Sequence, residues 1–177
     1  MMRSSALFVI ALFGWCNEGQ AQLTDSLYMR AAYTRLQHAA QYTLSIADLM
    51  PAEKYGFKPS AAEMSFAGQL LHLSGNLGWL SSSYLNDEGR NPVSDSDLKS
   101  SQKDSVIAVL KRTYDYALRA LERFPPSHLG DTVPFFAGPM NKLQIINLIN
   151  DHQSHHRGQM IVYLRLNGIK PPPYVGW

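Results

Sequence analysis

Four long runs of helical apolar spacing, fenced by proline and glycine, constrain this chain to an all-α fold. The first is expected over about Asp25–Asp48, where Tyr28, Ala32, Leu36, Ala39 and Thr43 recur every three or four residues. The second is expected over about Ser60–Leu85, with Ser60 and Glu63 placed as a capping box. The third, about Asp95–Arg123, carries Val106, Val109, Leu110, Ala117, Leu118 and Leu121 and stops at Pro125-Pro126. The fourth, about Asn141–Leu166, ends where Gly168 can form a C-terminal cap. No alternating pattern is long enough to build a sheet, and no repeat is visible. Four helices of this length with short loops predict an antiparallel four-helix bundle. Gly68, Gly75 and Gly78 in the second run are weak helix formers, so they predict close approach of a neighbouring helix.

The start of the chain reads differently from the rest. A basic Met1-Met2-Arg3 precedes the apolar run Ala6–Trp15, which is too short to span a bilayer. Gly19 and Ala21 supply the small residues before a cut at Gln22. The expectation is a signal peptide over residues 1–21, a domain over 22–177, and export to the periplasm or medium. An uncleaved N-terminal anchor is the rival reading. A lipoprotein signal at Cys16 is disfavoured by the bulky Trp15 before it. Cys16 is the sole cysteine, so the mature chain would carry no disulfide, no thiol nucleophile and no thiolate ligand. The net charge of +2, with no run of Lys or Arg, gives no footprint for nucleic acid. A hydrophobic fraction of 45% supports one core.

Three of the six histidines fall in the fourth helical run, as Asp151-His152-Gln153-Ser154-His155-His156. His152 and His156 are four apart and share a face with Leu148, Ile149, Met160 and Tyr163. Two imidazoles on an inward face each need a buried partner, or together they chelate one cation. His155 points about 100° away and is expected at the surface or beside a ligand. A third ligand would come from another helix. By spacing alone, His72 in the second run and His38 in the first compete for the place, and His128 falls in a loop.

The segment His152-x-x-x-His156-Arg157-Gly158-Gln159, with Leu166-Asn167-Gly168 and Pro171-Pro172-Pro173-Tyr174 after it, resembles the last helix of the DinB-like (DinB/YfiT) family. Tyr55-Gly56-Phe57-Lys58-Pro59, then Leu71-His72-Leu73 and Trp79, are similar to that family's entry into its second helix. The resemblance covers essentially the whole chain after residue 21. It implies a four-helix bundle with one divalent metal held by a histidine from helix two and two from helix four. Matched residue by residue, these are His72, His152 and His156. The family's doubled histidine uses its second member as ligand, which leaves His155 out.

Three imidazoles leave a coordination position open, as catalytic sites do. Zinc is the first expectation, and nickel, iron or manganese suit the same donors. The resemblance implies either a metal-dependent, hydrolase-like enzyme on an unidentified small-molecule substrate or a thiol S-transferase or isomerase. Low-molecular-weight thiols are kept in the cytoplasm, so the export signal favours the hydrolase reading. A non-catalytic metal-binding module is the remaining alternative. No general acid or base stands out. Asn76 and Gln159, each within a turn of an expected ligand, read either as partners of the site or as helix-interface hydrogen bonds. Tyr42 and Trp79 read first as core aromatics and second as pocket lining. A homodimer is implied by the likeness, and no transmembrane span is expected after signal cleavage.

Overall fold

In a computed structural model, residues 6–86 and 89–175 are described, the side chains of 6–21 and Leu23 excepted. The expected signal peptide, its cleavage and Cys16 therefore lie outside the described side chains. Four α-helices make up the body: α1 (Ala6–Leu49), α2 (Phe66–Leu80), α3 (Lys103–Arg123) and α4 (Lys142–Leu166). A two-residue antiparallel pair, β1 (Thr132–Val133) with β2 (Met140–Asn141), closes the link from α3 to α4. The expected helical bundle is thus present. No helix among the described residues is long and apolar enough to cross a membrane.

Paired contacts fix the helix directions. Lys103 at the start of α3 donates to the carbonyls of Asp48 and Met50 at the end of α1, and Tyr114 meets Thr43, so α1 and α3 are antiparallel. Gln69 meets Gln159 and His72 meets His152, so α2 and α4 are antiparallel. Tyr28 bonds Asn147 while Arg157 lies over Tyr42, so α1 and α4 run the same way. It follows that α2 and α3 also run the same way. The segment between them, residues 86–102, must return along the bundle instead of turning back as a short loop.

That return explains two departures from expectation. Lys103, not Asp95, begins α3, because Ser94 and Asp97 close a separate turn: Ser94 N–H donates to Asp97 Oδ2 at 2.8 Å. Arg112 ties this turn to α3 by pairing with Asp97 and by donating to Pro92 O at 3.0 Å. Gly75 and Gly78 of α2 face this segment, where a neighbouring helix was expected, while Gly68 faces Ser65 and Met64. A Cβ on Gly78 would meet Asn91 Oδ1 at 2.5 Å, and one on Gly75 would meet Leu98 Cδ2 at 3.3 Å.

The capping box expected at Ser60 does not form. Ser65 caps α2 instead, accepting from Gly68 N–H at 3.0 Å. Two more amides of that first turn are taken by the approaching chain, Phe66 N–H by Phe57 O and Ala67 N–H by Tyr55 O, both at 2.9 Å. Helix α4 starts with a capping box between Asn141 and Gln144. It ends at Gly168, whose φ of +73° suits the left-handed cap. The core stripes fall where periodicity put them: Ala32, Leu36 and Thr43 on α1, Val106, Leu110 and Ala117 on α3, and Ile149, Met160 and Tyr163 on α4 are all buried.

Candidate metal centre

The antiparallel α2–α4 seam brings His72, His152 and His156 together, with one donor atom of each within 4.8 Å of the others. His152 Nε2 lies 3.2 Å from His72 Nε2 and 3.2 Å from His156 Nε2. His38 stays on α1 and His128 pairs with Asp131 at 3.0 Å in the α3–α4 link. Geometry thus chooses His72 over His38, a choice that spacing alone left open.

The three rings are buried to different depths. His156 is buried, His152 half-buried and His72 exposed. Leucines flank His72 in the sequence, yet they do not bury it. Those leucines, Leu71 and Leu73, sit about 100° to either side on the helix and take the buried positions themselves. His72 is left at the solvent edge of the seam.

A buried amide fixes the deepest ring. His156 Nδ1 lies 2.6 Å from Gln69 Oε1. Gln69 Nε2 is occupied as a donor, to Gln159 Oε1 at 2.5 Å and to the Tyr163 hydroxyl at 3.3 Å. Tyr163 in turn donates to Met64 O at 2.9 Å. Gln69 therefore presents an acceptor, Nδ1 of His156 carries the hydrogen, and the Nε2 lone pair points at the other two rings. Gln69 was not singled out from sequence. The signal was there: a glutamine amid Leu70 and Leu71, one turn before His72, and only 1% exposed.

A single hydrogen on His152 Nε2 cannot serve both of its neighbours fully. His156 Nε2 is an acceptor, so His152 Nε2 can give it a hydrogen only if it has none left for His72. A cation at the common focus removes the conflict. Two zinc–nitrogen bonds of about 2.05 Å at a tetrahedral angle separate their nitrogens by about 3.3 Å. The observed 3.2 Å separations fit that spacing. The residues present could hold a metal ion.

Electrostatics agree with the geometry. Burial, then the neighbouring His72 and His155, pulls the His152 pKa down to about 4. Burial, then His152, His72 and His155, does the same to His156, also to about 4. His72 is lowered by burial and by His155. All three are neutral at pH 7, as nitrogen ligands must be.

The remaining candidates separate cleanly. His155 is exposed, stands edge-on to His156, and accepts from Gln159 Nε2 at 2.8 Å. Gln159 is thus a relay between His155 and Gln69 and does not face the focus. Arg157 turns away, buried, with its guanidinium 5.6 Å above the Tyr42 ring. Asn76, one turn past His72, is half-buried, and its side-chain amide makes no hydrogen bond to another described residue.

Comparison with known proteins agrees with this architecture. No curated protein matched the chain. Among solved structures, a DinB-like protein from Bacillus subtilis superposes with a TM-score of 0.67 at 17% identity, covering 81% of this chain and 96% of that one. A DinB-like protein from Bacillus cereus ATCC 10987 gives 0.64 at 18% identity, covering 78% and 92%. The family model of the DinB family matches residues 23–176. Nearly the whole chain is covered by that match, and the chain belongs to the DinB family.

Proposed function

We propose that this protein is a metal-dependent, hydrolase-like enzyme in which His72, His152 and His156 hold one divalent ion, zinc first among the candidates. The observation that carries the reading is the meeting of three imidazole nitrogens, one of them oriented by a buried Gln69. A bound ion would supply Lewis acidity at the position the three ligands leave open. Exposure of His72 turns that position toward solvent, where a small molecule can arrive. Gln69 holds the His156 ring in one tautomer, and Asn76 offers an amide beside the opening. The reading extends to export after cleavage before Gln22. What supports it is the basic start and the apolar run Ala6–Trp15 followed by Gly19 and Ala21.

The test is a panel of activated carboxylic, phosphate and sulfate esters assayed with zinc-loaded protein. Hydrolysis of at least one ester should vanish with chelator, return with zinc, and be absent from His152→Ala. A zinc-loaded protein inert on the whole panel would favour the non-catalytic module. N-terminal sequencing of protein recovered from an export-competent host checks the leader, with Gln22 as the expected first residue.

A further inference from the structure

Past the histidines, the same face of α2 leads to a group of aromatic rings. Trp79 follows His72 by seven residues, within about 20° of two full turns and about 10.5 Å along the helix axis. Its indole stacks on Phe135 at 5.7 Å, with Phe136 at 6.3 Å and Tyr84 at 5.9 Å. Phe135 and Phe136 are themselves 4.4 Å apart. They occupy the turn between β1 and β2, and β2 runs straight into α4, which carries His152 and His156. Tyr84 ties the other side down by donating to Pro134 O at 3.3 Å. The group is therefore anchored to both helices that supply the histidines.

Its outermost ring is held open to water. Phe136 is 86% exposed although it rests against two other aromatics. Trp79, Tyr84 and Phe135 are half-buried beneath it, so the group offers solvent one open ring backed by three others. Between the rings and the histidines lie Asn76 on α2 and Leu148, one turn before His152, on α4. A second copy of the chain is a poor occupant for so small a patch, because a standard interface buries about 800 Å² per partner.

We propose that Trp79 and Phe136 form the specificity platform of the histidine site, selecting small molecules that carry an aromatic or flat apolar group about 10 Å from the reacting bond. The proposal rests on the reading that the histidines hold a metal.

The test uses two hydroxamates, which chelate zinc directly: acetohydroxamate and 4-phenylbutanohydroxamate, whose phenyl ring reaches toward the platform. With zinc-loaded full-length protein, calorimetry should show the phenyl compound binding about tenfold more tightly, the increment expected of a well-stacked ring with its buried area. Trp79→Ala and Phe136→Ala should bring its affinity down to that of acetohydroxamate, with zinc content unchanged. Phe136→Ala removes a ring that is mostly in water, so it keeps the test valid if Trp79→Ala fails to fold. Equal affinities in the unaltered protein would overturn the platform, as would a preference that survives both substitutions. A shift from dimer to monomer in the variants would make the patch an interface and overturn it too. Failure to bind zinc would remove the metal reading and the platform with it, whereas zinc binding without a phenyl preference would remove the platform alone.

Discussion

Two sets of buried polar groups cross this bundle, and they are completed differently. On the α1–α3–α4 side, the Tyr114 hydroxyl lies 3.0 Å from Thr43 Oγ1 and 2.6 Å from Gln153 Oε1. It donates to the amide oxygen and accepts from the threonine, while Gln153 Nε2 donates to Ile149 O at 3.2 Å. Protein atoms satisfy the whole chain of contacts, and burial pushes the Tyr114 pKa up to about 12. On the α2–α4 side, the protein satisfies Gln69, Gln159 and Nδ1 of His156, then stops. His152 Nε2 lies 3.2 Å from Nε2 of both His72 and His156, and it carries at most one hydrogen to share between them. A closed network fixes how helices pack, whereas three imidazoles that meet at one point could hold a cation. The two regions therefore differ in what their loss should change: stability for the first, metal affinity for the second.

The largest effect that would separate them comes from His152→Ala. It removes the central ligand, and zinc affinity measured by competition with a chromogenic chelator should fall on the order of 100-fold or more, beyond the range typical of outer partners. The melting temperature without metal should stay the same or rise, since a crowded, half-exposed ring is gone. A large loss of stability with unaltered zinc affinity would erase the comparison. Gln69→Leu sharpens it, because it keeps all three ligands while removing the acceptor that orients His156, together with the amide donor to Gln159 and Tyr163. Zinc affinity should drop roughly 10- to 100-fold. An unchanged affinity would mean that Gln69 serves packing alone.

Tyr114→Phe probes the other side. It leaves Gln153 Oε1 buried without its donor and should cost about 1–3 kcal/mol in urea unfolding. Zinc affinity should not move, and a parallel loss of both would show that the two networks are coupled.

An effect of a different kind is a pH dependence. The unfolded chain titrates its histidines near their ordinary value, while His152 and His156 titrate near about 4 in the folded protein. Between those values the unfolded state binds more protons. Stability of the metal-free protein is therefore full above the ordinary histidine value and lost progressively as pH falls through about 4. Urea midpoints at several pH values should show this decline, and the double variant His152→Ala/His156→Ala should show less of it. Equal declines in both proteins would place the acid sensitivity elsewhere.

Much of this contrast was legible in the sequence, and its limits have physical causes. His152 and His156 announce themselves because helical periodicity alone puts them on one face. His72 needed the family likeness, since choosing between it and His38 depends on which helix lies beside α4, and periodicity carries no such information. Gln69 went unseen because a lone glutamine in an apolar run looks the same whether it bonds a ligand or a backbone carbonyl. Helix starts failed where a local pattern was outcompeted. Ser60 and Glu63 have the spacing of a cap, yet the chain from Tyr55 to Phe57 docks on the amides of Phe66 and Ala67, so Ser65 wins. The return of residues 86–102 along the bundle was hidden for a similar reason. Lys103 on the end of α1 and Arg112 on Pro92 and Asp97 are long-range contacts that no local spacing encodes.

On the proposed reading, the α2–α4 histidines hold a cation and the Tyr114 network does not. Elemental analysis of the purified protein, after exchange into metal-free buffer and reloading with zinc, tests it most directly. About one zinc per chain is expected in the unaltered protein and in Tyr114→Phe, and close to none when His152 and His156 are both replaced by alanine. A stoichiometry near zero in the unaltered protein, or one that survives loss of both histidines, would contradict it.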